Sequence, residues 1–179
     1  MKAILLLTLF LYPLFADSNT QLFTLYQQGK YTEGCNFGYS VFSQNKRNEA
    51  FVSLLGFSCL KADQIDRLSL VISNLQETPE ARANSAYFSL LLMQKKLLMR
   101  ALYDSKPIQD LRFPTSSHLL SKIFDLYINN PQNNAMIKEY TDKQNPRQSF
   151  KLYTTQLNEK KSIAVDEYYD KILTVHHIY

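Results

Sequence analysis

From Leu22 to Tyr127 the apolar residues of this chain recur at helical spacing, in stretches separated by short polar segments. This pattern constrains the fold more than any single motif, because each amphipathic stretch must bury its apolar stripe against another. Glycine turns are nearly absent, with four glycines in the whole chain, so a β architecture built on tight turns is disfavoured there. The class that follows is mainly α.

The helix boundaries can be read individually. Leu22, Phe23, Leu25 and Tyr26 mark a first helix ending at Gly29, a residue suited to the positive φ of a helix C-terminus. A second begins near Tyr31 and buries Cys35, Phe37, Gly38, Val41 and Phe42, with a loop over 43–48. Glu49 to Ala62 is apolar almost all round, which predicts a central helix. Asp66 is positioned to cap a helix running through Leu75. Thr78-Pro79-Glu80 combines a capping hydroxyl, a proline at the first helical position and an acid near the positive dipole end, so a helix should run from there to about Tyr103. Ser116 or Ser117 opens another, closed at Asn129-Asn130-Pro131, and a shorter one is expected over Ala135 to Lys143.

After Asn145-Pro146 the period changes. Phe150, Leu152 and Thr154 alternate with polar neighbours, as do Ile163 and Val165, and Ile172 to Val175 is β-rich. Three short strands joined at Asn158 to Lys161 and near Asp170-Lys171 are preferred. A terminal helix competes, because Val165, Tyr168, Tyr169, Ile172 and Val175 also fit a 3.6 period. The chain thus divides into residues 1–16, a helical domain over 17–145, and a C-terminal β-hairpin, meander or terminal helix over 146–179.

Residues 1–16 read as an export signal: Lys2, an apolar run from Ala3 to Leu11 broken by Thr8, and small Ala16 before polar sequence. The run is shorter than the ~20 residues that span a bilayer. The expected compartment is a bacterial periplasm or the exterior, in keeping with the absence of Asn-x-Ser/Thr acceptor sites. An exported chain with two cysteines, Cys35 and Cys59, is expected to carry one disulfide, the competing reading being two buried thiols. The net charge of +4 is dispersed, with Lys95-Lys96 and Lys160-Lys161 as the only pairs of adjacent lysines, so nucleic acid is not an expected partner.

Shifting the chain by 34 residues superposes Phe23 on Phe57, Leu25 on Cys59, Tyr26 on Leu60 and Tyr31 on Ile65. Gly29-Lys30-Tyr31-Thr32-Glu33-Gly34, followed by Leu55-Gly56 and Lys61-Ala62-Asp63, resembles the tetratricopeptide repeat over Gln21 to Leu75. The resemblance implies helical hairpins in a right-handed α-α superhelix, with only a small C-terminal β or mixed element beyond them. It also implies that Gly-x-Tyr joins helix A to helix B, and that Leu-Gly in the next helix A permits close helix approach. In that frame Cys35 lies early in one helix B and Cys59 in the following helix A, so a bridge would staple the two hairpins. The resemblance further implies a groove for a peptide or partner protein; on the concave face of the first hairpins, Tyr26, Tyr31 and Tyr39 are the candidate contacts.

Catalytic signatures are missing from the sequence. His118 has no acidic or histidine partner four residues away, and the adjacent His176 and His177 should face opposite sides of a strand, so no metal site is expected. Asp104, Asp110, Asp166, Glu167 and Asp170 could be nominated as acids and bases, but sequence alone gives them no partners. Ser53, Ser58, Ser116 and Ser117 lack a nucleophile-elbow pattern, and no phosphate loop or dinucleotide fingerprint occurs, so no cofactor is expected. The function this leaves is an exported interaction or scaffold module binding a protein or peptide of the cell envelope, with no membrane span of its own. The alternatives are a structural subunit of an envelope machine, which predicts an exposed apolar or aromatic patch, and an envelope hydrolase whose carboxylates meet only in three dimensions.

Overall fold

A computed structural model describes residues 17–106, 108, 111–132 and 135–179. Residues 1–16, read above as an export signal, and Asp110 lie outside them. The elements in chain order are α1 (Ser18–Gln27), α2 (Tyr31–Ser40), α3 (Phe42–Asn45), α4 (Glu49–Lys61), a 3-10 turn at Ile65–Arg67, α5 (Leu68–Ile72), α6 (Pro79–Tyr103) and α7 (Leu119–Asn129). They continue as β1 (Lys138–Thr141), β2 (Gln148–Leu157), β3 (Lys160–Tyr169) and β4 (Ile172–Ile178).

The helical half is organised around α4, which buries Phe51, Val52, Leu55, Gly56, Ser58, Cys59 and Leu60. Two glycines set how closely its neighbours approach. A Cβ added at Gly38 of α2 would lie 2.6 Å from Cδ1 of Leu55, and one at Gly56 would lie 2.4 Å from Cε2 of Phe88 in α6 and 2.9 Å from Cγ1 of Val71 in α5. Phe57 adds an edge-to-face contact with Phe88 at 5.0 Å. A disulfide between Cys35 and Cys59 joins α2 to α4. It is compatible with the oxidising compartment that an exported chain reaches.

Caps fix the helix starts. The Asn48 carboxamide oxygen accepts from the Phe51 N–H at 3.2 Å, and the Thr78 hydroxyl accepts from the Ala81 N–H at 3.1 Å ahead of Pro79. The Glu49 carboxylate accepts the N–H groups of Gln76, Glu77 and Thr78 at 2.6, 2.7 and 2.8 Å, tying the first turn of α4 to the entry of α6. Desolvation alone would raise the pKa of Glu49, but these donors and the Thr78 hydroxyl hold it down at about 2. α7 begins one or two residues later than expected, at Leu119, with His118 rather than a serine as its cap.

The C-terminal part corrects the expected fold class. Instead of a small β or mixed element beyond a mainly α superhelix, the chain ends in a four-stranded antiparallel sheet of order β1-β2-β3-β4, making the fold mixed α+β. The helix expected over Ala135 to Lys143 is a second correction, because β1 lies there. Lys138 and Tyr140 are buried and Glu139 and Thr141 exposed, the period-two burial of a strand whose inner face packs on the core. The two-residue turns Asn158-Glu159 and Asp170-Lys171 have positive φ at all four residues (49°, 65°, 48° and 69°), the geometry that matches hairpin twist. Phe150, Leu152, Ile163 and Val165 face the helices and share one core with Leu98, Leu120, Ile123 and Phe124. The Tyr103 hydroxyl at the end of α6 accepts from the Ser162 N–H at 3.1 Å and lies 2.6 Å from the Thr155 carbonyl, locking the helix end to the β2–β3 pair.

Two outcomes test this packing. Replacing both Cys35 and Cys59 by alanine should lower the unfolding free energy in denaturant titrations by about 3 kcal/mol, the chain-entropy value for a loop of this size. Gly56→Ala should cost about 1–3 kcal/mol despite alanine's better helix propensity, because the buried Phe88 ring has no room to withdraw.

Candidate functional site

The sheet register assembles side chains that are far apart in sequence. Inner-facing Phe150, Leu152, Ile163 and Val165 place their alternating neighbours on the opposite, uncovered face. There Glu139 pairs with Lys151, Lys151 with Asp166, and Asp166 with His176, so one row of polar side chains crosses all four strands. Lys151 Nζ lies 3.1 Å from Glu139 Oε1 and its ammonium sits 5.3 Å from the centre of the Tyr168 ring. Asp166 is largely covered, its two oxygens held by His176 Nδ1 at 2.5 Å and by the Tyr153 hydroxyl at 3.1 Å. With Nδ1 turned to Asp166, the His176 ring directs Nε2 away from that pair.

His177, the next residue, faces the helices. Its Nδ1 lies 2.8 Å from Asp63 Oδ2 in the turn after α4, and its Nε2 3.1 Å from Glu167 Oε1 on β3. An imidazole that donates from both nitrogens to carboxylates is an imidazolium. The hydrogen bond to Asp63 accordingly raises its pKa, against an opposing effect of burial and with further help from Glu167. Asp63 occupies left-handed backbone, φ 59°, where glycine would be easier, so its carboxylate is retained at a conformational cost. The His177 ring stacks on Tyr179 with centroids 5.6 Å apart and 7° between planes. His118 approaches the other residues of this cluster, with its ring 6.3 Å from that of Tyr179 and its Nδ1 accepting from the Leu120 N–H at 3.1 Å. Burial pulls His118 down to about 4, with Asp63 acting against it and His177 and Lys61 adding to it.

The two histidines therefore face opposite sides, and both nitrogens of His177 are committed. Among the described residues no group of three metal-ligating side chains converges. The remaining polar candidates have local partners. Asp170 pairs with Arg147, Ser58 donates to the Leu54 carbonyl at 2.9 Å, and Ser53 accepts from the Asn84 carboxamide at 3.1 Å, while Asp104 is exposed. Lys95 and Lys96 both reach Asp66, at 2.6 and 2.7 Å, and so do not form a free basic patch.

Of the three tyrosines expected to bind a partner, two are in contact and the third lies apart along α2. Tyr26 and Tyr31 meet edge to face at 5.3 Å across the α1–α2 turn, both half-buried. Tyr39 lies two turns further along α2, about 12 Å away by helix rise. Its hydroxyl donates to the Arg67 carbonyl, and the Arg67 guanidinium stacks over its ring at 4.7 Å.

A further accessible apolar grouping lies on the last hairpin. β4 borders only β3, and the hairpin they form exposes Tyr169, Ile172, Leu173 and Val175, with Ile172 at 70% of its full area. No Lys, Arg, Asp, Glu or Pro lies between Ile172 and Ile178 to discourage a further strand, although a bulge at Thr174 shortens the regular edge. Among the described residues no helix is long and apolar enough to cross a membrane. Comparison with known families, curated proteins and solved structures finds no match for the chain.

The pH dependence of stability separates the two half-buried histidines, His177 and His118. His177, raised from 6.5, contributes stability that is complete below about pH 6.5 and lost as pH rises through its folded value. His118, lowered to about 4, acts in the opposite sense, and its contribution is lost as pH falls from 6.5 towards 4. The stability difference between the native chain and Asp63→Asn, which suits left-handed backbone but removes the charge, should therefore shrink from pH 6 to pH 9 in urea titrations. A pH-independent difference would show that Asp63 acts without the His177 charge.

Proposed function

We propose that this chain is an exported binding module of the bacterial cell envelope, and that it takes an extended segment of a partner protein along β4 and the apolar end of the β3–β4 hairpin. The observation that carries this reading is the exposure of Tyr169, Ile172, Leu173 and Val175 beside an open sheet edge whose strand carries no Lys, Arg, Asp or Glu. Strand addition uses such an edge for main-chain hydrogen bonds and its flanking side chains for selectivity. The Cys35–Cys59 disulfide supports the compartment, and the apolar run over 3–11 supports the route to it. The first helical hairpins, with Tyr26 and Tyr31, offer a second contact surface, whereas Tyr39 is engaged within the fold. The exposed hairpin end also favours a second reading, a subunit fixed permanently in an envelope assembly, since apolar surface of this kind is what such a subunit covers.

A photo-cross-linking residue at Leu173 should capture one discrete protein in cells, and the same residue at exposed Glu33 should not. Ile172→Asp combined with Val175→Lys should abolish that product while leaving circular dichroism and the melting temperature unchanged. A product containing only a second copy of this chain would replace partner binding by self-association. Equal capture from both positions would sink the proposal.

A further inference from the structure

The helical half holds the end of β4 at one junction. Among the described residues, β4 side chains make a single hydrogen bond to that half, from His177 Nδ1 to Asp63 Oδ2 at 2.8 Å, since Thr174 and His176 bond only to β3. Tyr179 adds packing. It is 3% exposed and its ring stacks on that of His177, yet its hydroxyl has no hydrogen-bond partner among the described residues. Towards its start β4 is uncovered, with Ile172, Leu173 and Val175 exposed. The grip of the helices on this edge strand therefore rests on His177 and Tyr179.

Two imidazoles at this junction need opposite protonation states. His177 faces Asp63 with one nitrogen and Glu167 with the other, so each must carry a proton. A neutral ring can satisfy only one of the two carboxylates, and its lone pair then confronts the other. His118, whose ring lies 6.3 Å from that of Tyr179, caps α7 by accepting the Leu120 N–H on Nδ1, which requires a lone pair there. A proton on that nitrogen removes the cap and adds charge to a helix end whose dipole is already positive. The groups that face the pair are Lys61 and Asp63 at the end of α4, Glu167 on β3 and Tyr179 on β4. Glu167 is held in turn by the Gln148 carboxamide at 3.2 Å. The pKa directions agree with the geometry: the bond to Asp63 raises that of His177, and burial lowers that of His118 to about 4.

We infer that this junction is a pH-operated latch on β4, closed only while His177 is protonated on both nitrogens and His118 Nδ1 is bare. Its consequence for function rests on the docking of a partner strand along β4 proposed above. Closed, the latch keeps the edge strand in place, so a partner adds to a preformed edge and does not bear the cost of ordering it. As pH rises through the folded value of His177, the end of β4 loses half of its clamp. As pH falls towards about 4, the charge gained by His118 uncaps α7 and repels His177. Docking is thereby confined to the window between the two titrations.

The test is pulse-labelled hydrogen exchange on the full chain with its disulfide intact, each rate divided by the unprotected rate at the same pH. The reporter is the Tyr179 amide, which donates to the Ile163 carbonyl at 2.9 Å. Its protection should be highest near pH 6 and fall about tenfold towards pH 9 and again towards pH 4, while amides of α4 change by less than about threefold. The midpoints of the two falls should coincide with the titrations of the His177 and His118 ring protons, a comparison that needs no variant. His177→Gln, which cannot titrate, should abolish the alkaline fall, and His118→Asn, which keeps a cap, should move the acid fall to lower pH. Protection that stays constant from pH 6 to pH 9 in the native chain, or an alkaline fall that survives in folded His177→Gln, overturns the latch. An acid fall unmoved by His118→Asn belongs to the carboxylates and overturns the two-sided window. In cells held at each pH, photo-capture from Leu173 should follow the exchange profile, and capture that is constant across it overturns the link to docking. No capture at any pH beside an intact exchange profile counts against the docking reading and leaves the latch standing.

Discussion

The helical half depends on how closely other helices can approach α4. A helix apolar on nearly every side must be enclosed, and enclosure at short distance requires that some surface positions carry no side chain. Gly38 and Gly56 supply those positions, one facing Leu55 and the other receiving the Phe88 ring. The Cys35–Cys59 bond reinforces the first contact, and the Glu49 carboxylate holds the entry of α6 beside the start of α4. α6 then carries the consequence to the sheet, because its far end presents Leu98, Ala101 and Tyr103 to β2 and β3.

What could be read from the sequence follows from how local each signal is. Asn48, Thr78 and Pro79 act within four residues of themselves, so the starts of α4 and α6 are legible without tertiary information. The alternation after Pro146 is local too, and the turns at Asn158-Glu159 and Asp170-Lys171 fall where polar residues interrupt it. β1 was hidden because four residues are too few for a period to declare itself, and because Lys138, a charged residue, sits on its inner face. A buried lysine inverts the pattern that identifies a strand. The repeat-like residues lie in the first third of the chain and carry no information about the four-stranded sheet beyond it.

The polar assemblies could not be read from spacing at all. His177 meets Asp63 across 114 residues, and the row from Glu139 to His176 exists only once three strand registers are set. One signal was nonetheless present: adjacent histidines in a strand must part to opposite faces, and they do, one held between two carboxylates and the other poised on the open face by Asp166. The surroundings of Tyr39 were illegible for a related reason, since an aromatic stripe does not reveal that the Arg67 carbonyl and guanidinium already contact one of its members.

The contact between His177 and Asp63 also bears on how the chain can assemble. The sheet is a simple meander whose strands pair only with their neighbours in sequence, so its contacts close short loops. The hairpins around α4 are similarly local, with the bonded cysteines 24 positions apart. The imidazolium joins the turn after α4 to the last strand and closes a loop several times longer than either. Loop-closure entropy grows with the logarithm of length, which makes this one of the most expensive contacts to form early and places it among those that a transition state rich in local structure leaves unmade. An interaction absent from the transition state resists unfolding without hastening folding, so the histidine pin acts mainly on the lifetime of the native chain.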